Sequence, residues 1–87
     1  MSKKPQKTFK SFEEARVASR HYQWLVHEVE RRHWLYGKLK EIRAPKDVIE
    51  GEERVIAKYT AQRDELKERL DRFYGSVRAF LKMIMAA

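Results

Sequence analysis

A short break, Ala44-Pro45-Lys46-Asp47, separates two long segments that contain no proline, and it constrains the fold more than any other feature of this chain. Proline disfavours the α conformation in the residue before it, so a first helix should end near Arg43 or Ala44. Asp47 is followed three residues later by Glu50, the spacing of a capping box, so a second helix should begin at once. So short a connection predicts an antiparallel hairpin.

The first helix has an equally clear start. Ser11 and Glu14 have the spacing of a capping box, and good helix formers dominate the residues that follow. We therefore expect helix one over about 12–43, a turn over 44–47 and helix two over about 48–84.

Both predicted helices carry a seam of mostly apolar residues at alternating spacings of three and four. In helix one the seam is Ala15, Ala18, Tyr22, Leu25, Val29, Arg32, Tyr36, Leu39 and Ile42. In helix two it is Ile49, Glu52, Ile56, Tyr59, Arg63, Leu66, Leu70, Phe73, Val77, Phe80 and Ile84. Folding about Pro45 pairs Leu25 with Leu66 and Phe12 with Phe80. The sequence thus predicts an all-α, coiled-coil-like, antiparallel two-helix hairpin over residues 11–87.

Two arginines interrupt these seams, and a charge there is costly unless it is paired or reaches solvent. We expect the head groups of Arg32 and Arg63 to reach Glu28 or Asp64 at the edge of the seam. The alternative is an anion site between the two helices.

A second stripe on helix one is offset from its seam by two residues, or about 200° of rotation, and should face away from helix two. Its members after Val17 are Arg20, Trp24, His27, Arg31, Trp34 and Lys38. Tryptophan is a costly residue to leave in water. Three interpretations follow: self-association into a four-helix dimer, which we favour, docking of a different protein, or nucleic-acid binding by aromatic stacking and phosphate contacts.

The chain is basic, with 20 Lys and Arg against 13 Asp and Glu and a formal net charge of +7. Residues 1–10 contain no acid, and we expect them to form a flexible basic tail. The cations of this basic arm are Lys3, Lys4, Lys7 and Lys10. Because they account for most of the excess, the predicted hairpin is only mildly basic, which is weak evidence for nucleic acid.

The carboxy-terminal segment contains no acid after Asp71, and Leu81, Met83 and Met85 exceed what the seam requires. We expect these side chains to form core or dimer contacts. An interfacial membrane helix or a partner helix is the alternative.

Nothing in the sequence predicts catalysis, a cofactor or a metal. There is no cysteine, and the three histidines, His21, His27 and His33, are six residues apart and spread around helix one. Glu30 and His33 have the spacing of a di-iron ligand pair, but helix two contains no histidine to supply a second pair. The chain also lacks a glycine-rich phosphate loop and a glycine-flanked serine nucleophile.

We therefore predict a non-enzymatic helical adaptor or assembly protein that forms a homodimer and binds another protein. The alternative is an accessory nucleic-acid-binding protein that uses the stripe and the basic arm. The longest apolar run, Met83 to Ala87, is far too short to span a membrane, and the basic amino terminus lacks the apolar stretch of a signal peptide. We expect a soluble, cytoplasmic protein for which membrane contact is the least favoured role.

Overall fold

The computed structural model describes residues 9–86, without the side chains of residues 79, 80, 83, 84 and 86. The described chain forms two helices, α1 (Phe12–Glu41) and α2 (Lys46–Ala86), which pack against each other. The predicted all-α hairpin is confirmed, whereas its completion by dimerisation stays a prediction. Most of the predicted basic tail lies outside the described residues.

The start of α1 is capped as predicted. The Ser11 hydroxyl accepts a hydrogen bond from the Glu14 amide at 3.2 Å, and the Ser11 carbonyl accepts one from the Ala15 amide. Ser11 itself is extended, which is the usual backbone conformation of a capping residue.

The end of α1 comes at Glu41, two residues earlier than predicted, because Arg43 adopts a left-handed backbone with φ of 54°. Its amide donates to the Lys40 carbonyl, and the Ala44 amide donates to the Leu39 carbonyl at 2.9 Å. These two bonds are the Schellman pattern, which normally uses glycine at the left-handed position.

The start of α2 also comes two residues earlier than predicted, at Lys46. The Pro45 carbonyl accepts from the amides of Val48 and Ile49, so Pro45 rather than Asp47 occupies the capping position. Proline suits this place because its φ is preset and it has no N–H to leave unpaired. The predicted capping box at Asp47 is therefore wrong, and Asp47 lies in the first turn, where its charge favours the helix dipole.

The core forms where the two predicted seams meet. Buried apolar side chains come from both helices and from the residue two positions before the α1 cap: Phe9, Ala15, Leu25, Leu66 and Leu70. Four partly buried side chains pack around them: Ala18, Tyr22, Tyr59 and Phe73. Leu25 is fully buried, with 0% of its surface exposed. Phe9, which the sequence analysis placed in the tail, is part of this core.

At the open end of the hairpin the pairing differs from the prediction. The Phe12 ring contacts the Phe73 ring, with centroids 5.4 Å apart, whereas the sequence paired Phe12 with Phe80, whose side chain lies outside the described residues. Phe73 lies seven residues, or about two turns of helix, before Phe80. Because α1 ends two residues early and α2 begins two residues early, the facing positions at this end lie earlier in α2 than expected.

The same shift leaves the carboxy-terminal end of α2 beyond the start of α1. The second helix has 41 residues and the first has 30, so the difference is eleven residues, or about 16 Å of helix. We call residues 76–86 the overhang.

Candidate interaction surfaces

Four charged side chains join the two helices near the middle of α1. Glu28 Oε1 accepts from Arg31 Nη2 at 2.6 Å and from Arg32 Nε at 3.0 Å. Arg32 Nη1 crosses to α2, where it donates to both carboxylate oxygens of Glu52 at 3.2 Å. The prediction that Arg32 reaches Glu28 is confirmed.

Hydrogen bonding keeps these groups charged. The bond from Arg31 lowers the pKa of Glu28 below its ordinary value, against the opposing effect of burial, and Arg32 lowers it further. The bonds to Glu28 and Glu52 raise the pKa of Arg32. Since two carboxylates already occupy the Arg32 guanidinium, the cluster gives no support to an anion site between the helices.

Arg63, the second arginine of the seams, behaves as predicted. Its Nε donates to Asp64 Oδ1 at 3.1 Å at the edge of α2. A seam position can therefore hold arginine because the stem packs while the head group reaches a neighbouring acid.

The six predicted stripe residues all lie on the exposed surface of α1: Arg20, Trp24, His27, Arg31, Trp34 and Lys38. The two tryptophans are the largest of them, and 49% of Trp24 and 65% of Trp34 remain exposed. Lys38 Nζ lies 5.6 Å from the centre of the Trp34 ring, within the range of a cation–π contact.

Trp24 departs from the expectation that the stripe faces away from the second helix. Its ring meets the Tyr59 ring of α2 edge to face, with centroids 5.8 Å apart, and stacks on His21 at 6.0 Å. Trp24 therefore lies on the flank of α1 that borders the seam.

Two of the three strong cations of the stripe are already paired within α1. Arg31 bonds to Glu28, and Lys38 Nζ lies 3.2 Å from Glu41 Oε2. No ion pair is seen for Arg20 among the described residues. The stripe thus presents fewer free positive charges than its sequence suggests.

An apolar groove between the helices was not found by sequence reasoning. It has a volume of about 600 Å³ and lies between the amino-terminal part of α1 and the facing part of α2. Phe9, Val17 and Leu66 supply apolar walls, and the Arg69 guanidinium lies over the Phe9 ring at 4.7 Å. The only sequence signal was an aromatic residue two positions before the Ser11 cap.

Two other kinds of site are absent from residues 9–86 as far as they are described. They contain no group of three or more side chains suited to bind a metal ion. Neither α1 nor the described length of α2 combines the length and apolar character needed to cross a membrane.

No protein-family model, curated protein or solved structure matches this chain. Its function has to be inferred from its own residues.

Proposed function

We propose that this chain is a small non-enzymatic adaptor or assembly protein that self-associates through the outer face of α1 and binds a partner protein on the surfaces the dimer leaves free. The observation that carries the proposal is the exposure of both tryptophans, the largest apolar side chains of the chain, in a fold whose own core is thin. A cytoplasmic location is a further part of the proposal and rests on the sequence alone.

The size of the core supports self-association. A two-helix hairpin covers only one face of each helix, so much of its apolar surface stays exposed unless a further contact buries it. Leu25 is the one large side chain with less than 2% exposure among the described residues. Packing the outer face of α1 on a second copy would bury Val17, Trp24 and Trp34 and give a four-helix arrangement.

The order of residues in the stripe supports one orientation of the two copies. When two stripes run antiparallel about His27, Arg20 of one meets Trp34 of the other, and Trp24 meets Arg31. Each tryptophan is then offered a cation, which is a favourable pairing. A parallel arrangement would place Arg20, Arg31 and Lys38 against their own copies, and like charges repel.

The position of His27, about which the two stripes would pair, also favours the antiparallel dimer. His27 lies at the middle of α1 (Phe12–Glu41), so the two copies of α1 would overlap along their whole length. The dimer would therefore use the entire exposed face.

Sedimentation equilibrium tests the self-association. We expect a dimer, and Trp34→Ala should raise its dissociation constant about 30-fold or more, because buried tryptophans dominate interface energies. Leu81→Ala, on the overhang of α2, removes an exposed apolar side chain elsewhere and should leave the constant unchanged. A monomer at all concentrations would overturn the proposal.

Disulfide crosslinking tests the orientation of the two copies. Because the chain contains no cysteine, each variant carries a single thiol at a known position. His27→Cys should form a disulfide-linked dimer on mild oxidation, because an antiparallel dimer places residue 27 beside its own copy. Arg20→Cys is the control and should not crosslink. Efficient crosslinking of both variants would instead indicate parallel stripes.

Nucleic-acid binding is the alternative function, and Arg20 and the basic arm are the features that favour it. It would require Arg31 and Lys38 to exchange Glu28 and Glu41 for phosphates. A salt-sensitive mobility shift with DNA or RNA, lost in Arg31→Glu and Trp34→Ala, would support this function over the first.

A further inference from the structure

The whole formal net charge of the chain lies in its two terminal segments. Between Ser11 and Asp71 the remaining 13 Lys and Arg equal the 13 Asp and Glu in number. The seven cations outside this range are Lys3, Lys4, Lys7, Lys10, Arg72, Arg78 and Lys82, and no acid accompanies them. The body of the hairpin is therefore neutral.

The antiparallel fold places the second of these segments at the open end of the hairpin. The Phe9 ring lies 5.9 Å from the Phe73 ring, so Lys10, the next residue, lies near the base of the overhang. Arg78 and Lys82 lie on the overhang itself, whereas Lys3, Lys4 and Lys7 lie outside the described residues. We call the overhang the cationic pole.

Exposed apolar side chains share the pole with these cations. Leu81 is 50% exposed and Met85 is 85% exposed, while Arg78 and Lys82 are exposed on the same three turns of helix. The overhang extends past the start of α1, and among its described side chains only Val77 is partly buried.

We propose that the cationic pole binds an anionic lipid surface, with Leu81 and Met85 entering the boundary between headgroups and acyl chains. This role goes beyond the self-association of α1 and uses none of its stripe residues. Basic residues gain affinity from anionic headgroups, and aliphatic side chains gain affinity from the boundary below them. A helix that combines both is suited to lie on a membrane without crossing it.

The other partners fit this end less well. Nucleic acid would attract the cations, and its bases could stack on Phe12, which is 63% exposed, but it offers no apolar layer for Leu81 and Met85. A second copy docked overhang to overhang would bring two sets of Arg78 and Lys82 together, and like charges would oppose it. Charge and apolar character together favour lipid.

Co-sedimentation with vesicles tests the proposal. We expect the protein to bind phosphatidylcholine vesicles that contain phosphatidylserine, to ignore vesicles of phosphatidylcholine alone, and to dissociate as salt rises. Replacing both overhang cations, in Arg78→Gln with Lys82→Gln, should weaken binding about 30-fold. The control, Arg54→Gln with Lys58→Gln, removes the same charge at the same spacing from the other half of α2 and should bind nearly as wild type.

A second variant separates lipid from other polyanions. Leu81→Gln with Met85→Gln keeps every charge and should weaken vesicle binding about tenfold or more. Circular dichroism should show the same helix content for all variants, because the changed side chains are exposed. If this variant bound vesicles as wild type while the charge variant did not, and DNA displaced the protein, the pole would be a nucleic-acid site and the proposal wrong.

Two further measurements, of vesicle binding and of oligomeric state, distinguish this proposal from self-association. Trp34→Ala should bind vesicles through its pole even where it fails to dimerise. If Leu81→Gln with Met85→Gln converted a lipid-free dimer to monomer, the overhang would be an interface between copies, and the lipid proposal would be overturned.

Discussion

Arg43 ends α1 in a backbone conformation that residues other than glycine adopt at a cost. Its φ of 54° crowds the Cβ against the following carbonyl, and glycine has no Cβ. We expect Arg43→Gly to raise the free energy of unfolding by about 0.5–1 kcal/mol, the relief being partly offset by the greater freedom of glycine in the unfolded chain. Urea titration followed by circular dichroism measures it.

Arg43→Ala is the control, because it removes the same side chain and keeps the crowded Cβ. A gain of equal size in both variants would mean that the side chain, and not the backbone, is unfavourable in the native turn.

Glu28 makes the stability of the hairpin depend on pH in the acidic range. Its pKa is lower in the folded chain than its ordinary value, so its stabilising effect is complete above the ordinary value and is lost as the pH falls through the lowered one. We expect the thermal midpoint to fall on acidification below about pH 4. Glu28→Gln should start from a lower midpoint and lose less of it in acid.

Glu13→Gln is the matched control for this prediction. Glu13 and Arg16 form an exposed pair at 3.9 Å, and such pairs contribute little. Circular dichroism measures the thermal midpoint at each pH. If the midpoint fell equally in wild type and Glu28→Gln, other carboxylates would govern the loss of stability in acid.

At the scale of the helices, stability depends on where α1 and α2 meet. Leu25 is fully buried between them, and Leu25→Ala should lower the free energy of unfolding by about 3 kcal/mol. Leu81→Ala makes the same chemical change on the overhang and should shift it by less than about 0.5 kcal/mol. Urea titration compares the two, and equal losses would mean that the overhang is packed in solution.

The hairpin and its central packing were predictable because they follow from one proline and two periodic seams. The helix ends were not, since a Schellman turn is signalled by glycine and this one uses Arg43. Pro45 took the capping place assigned to Asp47. Both errors moved the helix ends by two residues, and the position that faces Phe12 moved by seven residues, or about two turns.

The interaction surfaces were only partly predictable. Spacing identified the exposed stripe of α1. The rotation of about 200° between the stripe and the seam refers to backbone positions, however, and the long side chain of Trp24 still reaches Tyr59 of α2. Charge counting by predicted segment also placed most of the excess on the tail. The exposure of Arg78 and Lys82 on a helix end that extends past α1 became visible only in the fold.

The described hairpin is elongated, with extents of 63 × 34 × 19 Å, and this shape explains why it exposes so much apolar surface. Its radius of gyration is 18.2 Å, and a compact domain of this length has about 12 Å. A rod has a large surface for its volume, so side chains that a compact domain would bury remain available for contacts between molecules.

The length of the particle in solution distinguishes the possible assemblies. The described rod is 63 Å long, of which α1 spans about 45 Å. Antiparallel packing through the stripe overlaps the two α1 helices completely and leaves one overhang of about 16 Å at each end, so the dimer should be about 78 Å long. Parallel packing would keep it near 63 Å, and joining two overhangs would extend it to about 110 Å.

Small-angle X-ray scattering at concentrations where the protein is dimeric should therefore give a maximum dimension near 78 Å for the described residues. The His27→Cys dimer is the reference when Arg20→Cys fails to crosslink, because the two results together select the antiparallel arrangement. Agreement between its scattering curve and that of the wild-type dimer would place one cationic pole at each end of the particle. A wild-type dimer that matched the longest of the three lengths would contradict both the stripe as the interface and the pole as a free surface.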